Sequence, residues 1–165
     1  MRALRSPGLA RNDPVSSFGA EVSMSAMTEM LRTHPQKPTT HFDVIAECIA
    51  ACFECQQVCF TCADACLGEQ DVANLRQCIR LDLDCADVCG ATGRMIARQA
   101  QPEPNLWRAM LEACAQACRS CAAECAKHEG RHEHCRICRE ACERCEKACR
   151  KALAELPSGG AESRH

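Results

Sequence analysis

The chain has 165 residues, of which 18 are cysteine, four phenylalanine, one tryptophan and none tyrosine. Cysteine at this density defines a class of its own, the scarcity of rings excludes an ordinary aromatic-rich core, and the length suits one domain. Twenty basic residues against 22 acidic, a net charge of -2, exclude both a nucleic-acid footprint and a polybasic membrane patch, and no stretch reads as the roughly 20 apolar residues of a spanning helix.

Residues 1–40 hold no cysteine and form an N-terminal extension. Residues 1–23, with Pro7, Pro14 and several serines, read as disordered, and Met24 is an alternative start to Met1. Charges and a proline stand where an export signal would carry an apolar core. The expected compartment is therefore the reducing cytoplasm, where dense cysteine points to metal binding or redox chemistry rather than structural disulfides. Met24, Met27 and Met30, three apart beside Ala26 and Leu31, predict one short helix ending before Pro35. Their thioethers are either soft ligands or, the favoured reading, one face of a packed amphipathic helix.

The body of the domain, 41–156, is punctuated regularly. Thr40 with Asp43 three residues on resembles a capping box, so a helix is expected over 41–67. Gly68 ends it and Asp71 caps the next, over 71–99. Gln101-Pro102-Glu103-Pro104 breaks the pattern again, with Pro104 suited to the first turn of a helix over 104–128. After His128-Glu129-Gly130, a last helix is expected over 132–156, followed by a flexible tail over 157–165. Short connections between long helices force antiparallel neighbours, so the predicted fold is all-α: an up-down-up-down four-helix bundle with a short N-terminal helix. Glu140/Arg144, Glu143/Lys147 and Glu146/Arg150 read as i,i+4 ion pairs on an outer face.

The cysteines follow one rule. The first long segment carries Cys48, Cys52, Cys55, Cys59, Cys62 and Cys66; the third carries Cys114, Cys118, Cys121 and Cys125; the fourth carries Cys135, Cys138, Cys142, Cys145 and Cys149. Their steps alternate three and four, the spacing of the inward seam of a bundle helix. The second segment is sparser, with Cys78, Cys85 and Cys89. Sulfur thus occupies positions where leucine and isoleucine belong. Most of these cysteines form CxxxC pairs, whose side chains lie one above the other on a helix and can close on one ion without bending the backbone. Packing alone would not produce a continuous stripe, and helix axes ~8–10 Å apart do not suit a ladder of disulfides.

Charge selects the metal. Thiolate is the liganding form, and 18 buried negative charges need compensating cations. A monovalent ion per thiolate leaves a neutral interior, and soft thiolates select Cu(I). Zinc leaves two negative charges on each Cys₄ site and needs several helices to converge at each level, which the sparse second segment makes difficult. Iron-sulfur clusters favour tight loop runs such as CxxCxxC, which the sequence lacks. A zinc or general metal buffer and an iron-sulfur electron carrier are the alternatives. No catalytic constellation stands out, so an enzyme is not expected.

The two ends of the bundle differ. The helix-three stripe extended from Cys125 reaches His128, the helix-four stripe extended back from Cys135 reaches His132, and His134 lies nearby. At the other end the stripes continue as Ile45, Ile96, Trp107, Leu111 and Leu156, an apolar plug. Metal is expected to enter at the histidine end, although histidines in a solvated hairpin also read as plain loop residues. His34 and His41 lie at the far end and read as structural. Asp82 falls between Cys78 and Cys85; either it supplies an oxygen ligand or helix drift turns Leu81 inward, and the two readings are even.

CIAACFECQQVCFTCADAC (48–66), CIRLDLDCADVC (78–89), CAQACRSCAAEC (114–125) and HEHCRICREACERCEKAC (132–149) together resemble the bacterial copper storage proteins. The likeness covers about 41–152 and favours the cytosolic branch, with histidines at the bundle mouth. It implies Cu(I) storage by many ions per chain, copper ions as the partner, a homotetramer, all 18 cysteines as metal ligands, and His128, His132 and His134 at the entrance.

Overall fold

A computed structural model describes residues 26–36 and 41–157. The expectations for 1–23, Met24, Thr40 and the tail beyond Pro157 lie outside the described residues. Five helices follow one another: α1 (Ala26–Thr33), α2 (Phe42–Gly68), α3 (Val72–Ile96), α4 (Pro104–Cys125) and α5 (Glu133–Glu155), with no strand among the described residues. The long four pack as a ring, α2 on α3, α3 on α4, α4 on α5 and α5 back on α2. Arg131 and His132 of the α4–α5 turn meet Asp71 and Glu69 of the α2–α3 turn, so these two turns share one end. At the other end His41 pairs with Glu155 at 2.9 Å and Arg108 donates to the Pro157 carbonyl at 2.7 Å. This is the antiparallel four-helix bundle expected from the short connections.

The helix starts follow local chemistry, with two departures from expectation. Pro104 does occupy the first turn of α4, where the Glu103 carboxylate accepts from the Asn105 and Leu106 amides at 3.2 and 2.7 Å. Asp71 precedes α3 but its side chain caps nothing; it faces Arg131 and His132 instead, each at 3.6 Å. The residue at the start of α2 is His41, in the left-handed region at φ 66°, without a side-chain cap. α1 rests on the start of α2 through buried Leu31, with the Arg32 guanidinium 5.2 Å from the Phe42 ring centroid. Met27 and Met30 are exposed, Met30 at 68%, so the packed face of α1 is carried by leucine and not by the thioethers.

Of the three outer-face ion pairs expected on α5, Glu146/Arg150 forms, at 2.9 Å. Arg144 reaches across to Glu54 of α2 instead, at 2.8 Å. Glu140 and Glu143 are held from the preceding turn by Arg136 and Arg139, at 2.6 and 2.7 Å. Arginine stems are long enough to choose among several carboxylates, so sequence spacing alone does not fix the partner. The membrane expectation also changes: α2 is, by length and composition, apolar enough to cross a membrane. Much of that apolar character is cysteine, and the cysteines of α2 are buried inside the bundle, as in the core helix of a globular domain.

Candidate metal centre

Every cysteine has its thiol free and buried, with no more than 2% of any of them exposed. They line the axis of the bundle. The alternating three-four spacing keeps each sulfur on the inward seam through every turn of α2, α4 and α5. From Cys48 to Cys66 the α2 column alone rises about 27 Å at ~1.5 Å per residue. The closest sulfurs belong to different helices: Cys59 and Cys142, and Cys89 and Cys118, each 3.5 Å apart, with Cys78 and Cys125 at 3.6 Å. The i,i+4 pairs Cys55/Cys59 and Cys85/Cys89 stand at 3.8 Å. The CxxxC spacing therefore supplies the vertical repeat, while contacts across the bundle run from 3.5 to 4.0 Å, on either side of the i,i+4 distance.

Four-thiol groups recur along this column. Cys55, Cys89, Cys118 and Cys145 come from all four long helices, with their sulfurs within 4.8 Å of one another. Cys52, Cys114, Cys145 and Cys149 form another such group nearer the plug, and Cys59, Cys121, Cys138 and Cys142 one nearer the mouth. The expectation that the sparse α3 would make convergence difficult is thus corrected: Cys85 and Cys89 lie on the axis and complete groups that α2, α4 and α5 begin. Neighbouring groups share members, Cys145 and Cys142 among them. Shared thiols suit bridging between ions, which separate tetrahedral zinc sites do not use.

Asp82 decides the open question on α3. It is fully buried, while Leu81 is half-buried on the flank. Its Oδ1 accepts from Cys121 at 2.9 Å, Cys138 at 3.3 Å and Cys125 at 3.5 Å, and its Oδ2 accepts from Cys78 at 3.8 Å. Burial, and then the Cys138 sulfur beside it, push the Asp82 carboxyl up to about 8. One oxygen donor thus interrupts a column otherwise made of sulfur.

The histidines separate into two kinds. His134 Nδ1 lies 3.5 Å from Cys62, 3.5 Å from Cys135 and 3.9 Å from Cys66, and these four residues form a mixed sulfur–nitrogen group at the mouth. Burial pushes the Cys66 thiol up to about 12 and raises that of Cys135 as well. His128 and His132, the two on the extended stripes, turn to carboxylates instead. His128 Nε2 meets Glu124 at 3.3 Å and His132 Nδ1 meets Glu69 at 3.2 Å. The stripe from Cys138 counted back by four reaches His134, a signal in the sequence that stepping back by three from Cys135 passes over. Glu69 and Glu124 were not among the expected site residues, since acidic side chains near a turn carry no spacing signature. At the opposite end Ile45, Ile49, Ile96, Trp107 and Leu111 are buried and close the tube. His41 and His34 sit outside that plug, paired with Glu155 and with the Gln36 carbonyl.

A family model described as copper storage protein matches residues 42–154. The chain is similar to the copper storage protein Ccsp from Streptomyces lividans loaded with 10 copper equivalents: 49% identity, covering 79% of this chain and 99% of that one, with a TM-score of 0.77. A cytosolic copper storage protein from Streptomyces lividans with five coppers is 52% identical, covering 70% of this chain and 96% of that one, at a TM-score of 0.69. The Cu(I)-bound copper storage protein BsCsp3 is 37% identical, covering 62% of this chain and 92% of that one, at 0.56. No curated protein sequence matches significantly.

Proposed function

This chain belongs to the copper storage protein family, and we propose that it is a cytosolic reservoir that holds many Cu(I) ions on its cysteine thiolates, without a catalytic role. The observation that carries this reading is the continuous column of 18 buried thiols, in which sulfurs of different helices approach to between 3.5 Å, at Cys59 and Cys142, and 4.0 Å, at Cys52 and Cys114. Cu(I) accepts two or three soft ligands and thiolates can bridge, so each group in the column can pass an ion to the next through a shared sulfur. The eighteen cysteines are the proposed ligands, with His134 beside Cys62, Cys66 and Cys135 as a nitrogen ligand at the mouth. Asp82 is an oxygen donor partway along.

At the mouth of the empty bundle burial opposes thiolate at Cys66 and Cys135, so these two thiols keep their protons. An arriving Cu(I) takes the place of a thiol proton, so each replacement leaves the local charge unchanged. Loading runs from the mouth, where His128, His132 and His134 gather, toward the apolar plug. It releases protons and stabilises the fold, since binding free energy adds to folding free energy. A homotetrameric assembly is implied by family resemblance, with exposed apolar side chains such as Leu67 and Ile137 available to it. Copper ions are the partner this chemistry requires.

Titration of the reduced protein with Cu(I) against a competing chelator tests the reading. The expected result is a capacity of many ions per chain with ultraviolet-excited Cu(I)–thiolate luminescence. A capacity of one or two ions would overturn it. Elemental analysis of protein isolated without oxygen separates copper from a zinc or general metal buffer, and the brown colour of an iron-sulfur protein would identify the electron-carrier alternative.

A further inference from the structure

The mouth carries more polar chemistry than soft-metal storage uses. His132 Nδ1 lies 3.2 Å from Glu69 Oε1, and His134 Nε2 lies 3.4 Å from the same oxygen. These separations are longer than the ~2.7–2.9 Å of a charge-assisted hydrogen bond. They match instead the edge of a tetrahedron around an ion with ligands at ~2.0–2.1 Å, roughly 3.3–3.4 Å. The two rings stand 5.4 Å apart and tilted by 37°. His134 Nε2, the nitrogen turned toward Glu69, is buried and has no hydrogen-bond partner. Buried polar atoms without partners are uncommon and call for an explanation.

We propose that Glu69, His132 and His134 form a second metal site, for a borderline divalent cation such as Zn²⁺, and that its occupancy excludes Cu(I) from His134. Two imidazoles with a carboxylate suit such an ion, and the hard carboxylate oxygen and absence of sulfur make the set a poor one for Cu(I). Asp71 Oδ1, 3.6 Å from His132 Nε2, supplies the outer carboxylate that commonly orients a metal-bound imidazole through its other nitrogen. The site is reachable from solvent, since the Glu69 side chain is 37% exposed and that of His134 22%.

The exclusion follows from the chemistry of one ring. His134 aims Nδ1 at Cys62, Cys66 and Cys135 and Nε2 at Glu69. A neutral imidazole has one lone-pair nitrogen and one N–H. When Nδ1 ligates Cu(I), Nε2 keeps the proton and donates it toward Glu69. When Nε2 ligates a divalent ion, Nδ1 keeps the proton and faces the thiols as a donor. The ring is a two-position switch, and a divalent ion at Glu69 corks the thiol column until copper displaces it.

This inference rests on the copper-storage reading, and Co(II) with the reduced full-length chain under anaerobic conditions tests it. The first equivalent is expected to give visible d–d bands without near-ultraviolet thiolate-to-cobalt charge transfer, which marks nitrogen and oxygen ligands. Glu69→Gln and, separately, His132→Ala should each weaken that equivalent at least tenfold, and one equivalent of Cu(I) should release it from the unmodified protein. Thiolate bands from the first equivalent, unchanged affinity in Glu69→Gln, or Co(II) and the first Cu(I) bound together would each overturn the proposal. Neither variant removes a thiol, so Cu(I) capacity measured on the same samples keeps the outcomes apart. Full capacity without the cobalt site defeats this inference alone, whereas a capacity of one or two ions defeats the storage reading.

Discussion

Asp82 Oδ1 accepts a hydrogen bond from the Cys121 thiol at 2.9 Å, at a level of the bundle where both residues are fully buried. A carboxylate there has no cation beside it; its neighbours Cys121, Cys138, Cys125 and Cys78 are all sulfur. Burial makes the protonated form the comfortable one in the empty protein. On the proposed storage reading the same carboxyl is the one oxygen donor offered to Cu(I) within the column, a role distinct from the one it has in the empty protein.

The pH dependence of the empty protein follows from the sign of that shift. The Asp82 carboxyl moves from 3.8 when unfolded to about 8 when folded, so the folded chain holds a proton that the unfolded chain has lost. The stabilisation is complete below the unfolded value and is lost as pH rises through the folded one, at up to about 1.4 kcal/mol per pH unit. Denaturant unfolding of the reduced metal-free protein should give a lower midpoint at pH 8 than at pH 5. Asp82→Asn should flatten that dependence, and a slope unchanged in the variant would contradict the assignment.

Removing thiols from the middle of the column should cut capacity without unfolding the bundle. Cys55 and Cys118 lie 3.9 Å apart and belong to one four-thiol group. The double variant Cys55→Ser/Cys118→Ser should bind fewer Cu(I) ions, read by chelator competition. It should also lose about 1–3 kcal/mol of metal-free stability from the buried hydroxyls. Unchanged capacity would mean that these sulfurs are bystanders.

The plug should matter to stability and not to capacity. Leu111 is fully buried in the core with Ile45, Ile96 and Trp107, at the end away from His128, His132 and His134. Leu111→Ala should cost about 2–5 kcal/mol in denaturant unfolding, while the number of Cu(I) ions bound stays the same.

Two glycines of α3 should respond oppositely to alanine. A Cβ at Gly93 would stand 3.2 Å from Cys52 Cβ and 3.3 Å from the Phe53 ring, pressing on the α2–α3 contact itself. At Gly90 it would meet only the end of the Gln56 side chain, at 2.6 Å, and that flexible end can swing away. Gly93→Ala should therefore destabilise by about 1–3 kcal/mol. Gly90→Ala should be neutral or gain up to ~1 kcal/mol from helix propensity. Thermal unfolding of the two variants side by side measures the difference.

Much of this protein is legible in its residues. A step of three and four fixes the angle at which a side chain leaves its helix, so the cysteine stripes of α2, α4 and α5, the sulfur-lined interior and the apolar plug all follow from spacing. Breaks at Gly68, Pro102 to Pro104 and Gly130 divide the helices, and short connections force them antiparallel. With thiolates too many to bury unpaired, the preference for a soft monovalent ion follows from charge.

Tertiary structure decided what spacing leaves free. The rotation of α3 within the ring turns Asp82 inward and leaves Leu81 on the flank, a difference of one residue that periodicity over 25 residues does not resolve. Helix periodicity ends with the helix, so at the α4–α5 turn it is the chain's path that sends His128 and His132 to carboxylates, while His134, inside α5, stays on the stripe counted back from Cys138. The convergence of Cys55, Cys89, Cys118 and Cys145 within 4.8 Å belongs to no helix alone. Each seam is written in its own segment, but the distance between sulfurs on different helices exists only once the four seams have been brought together.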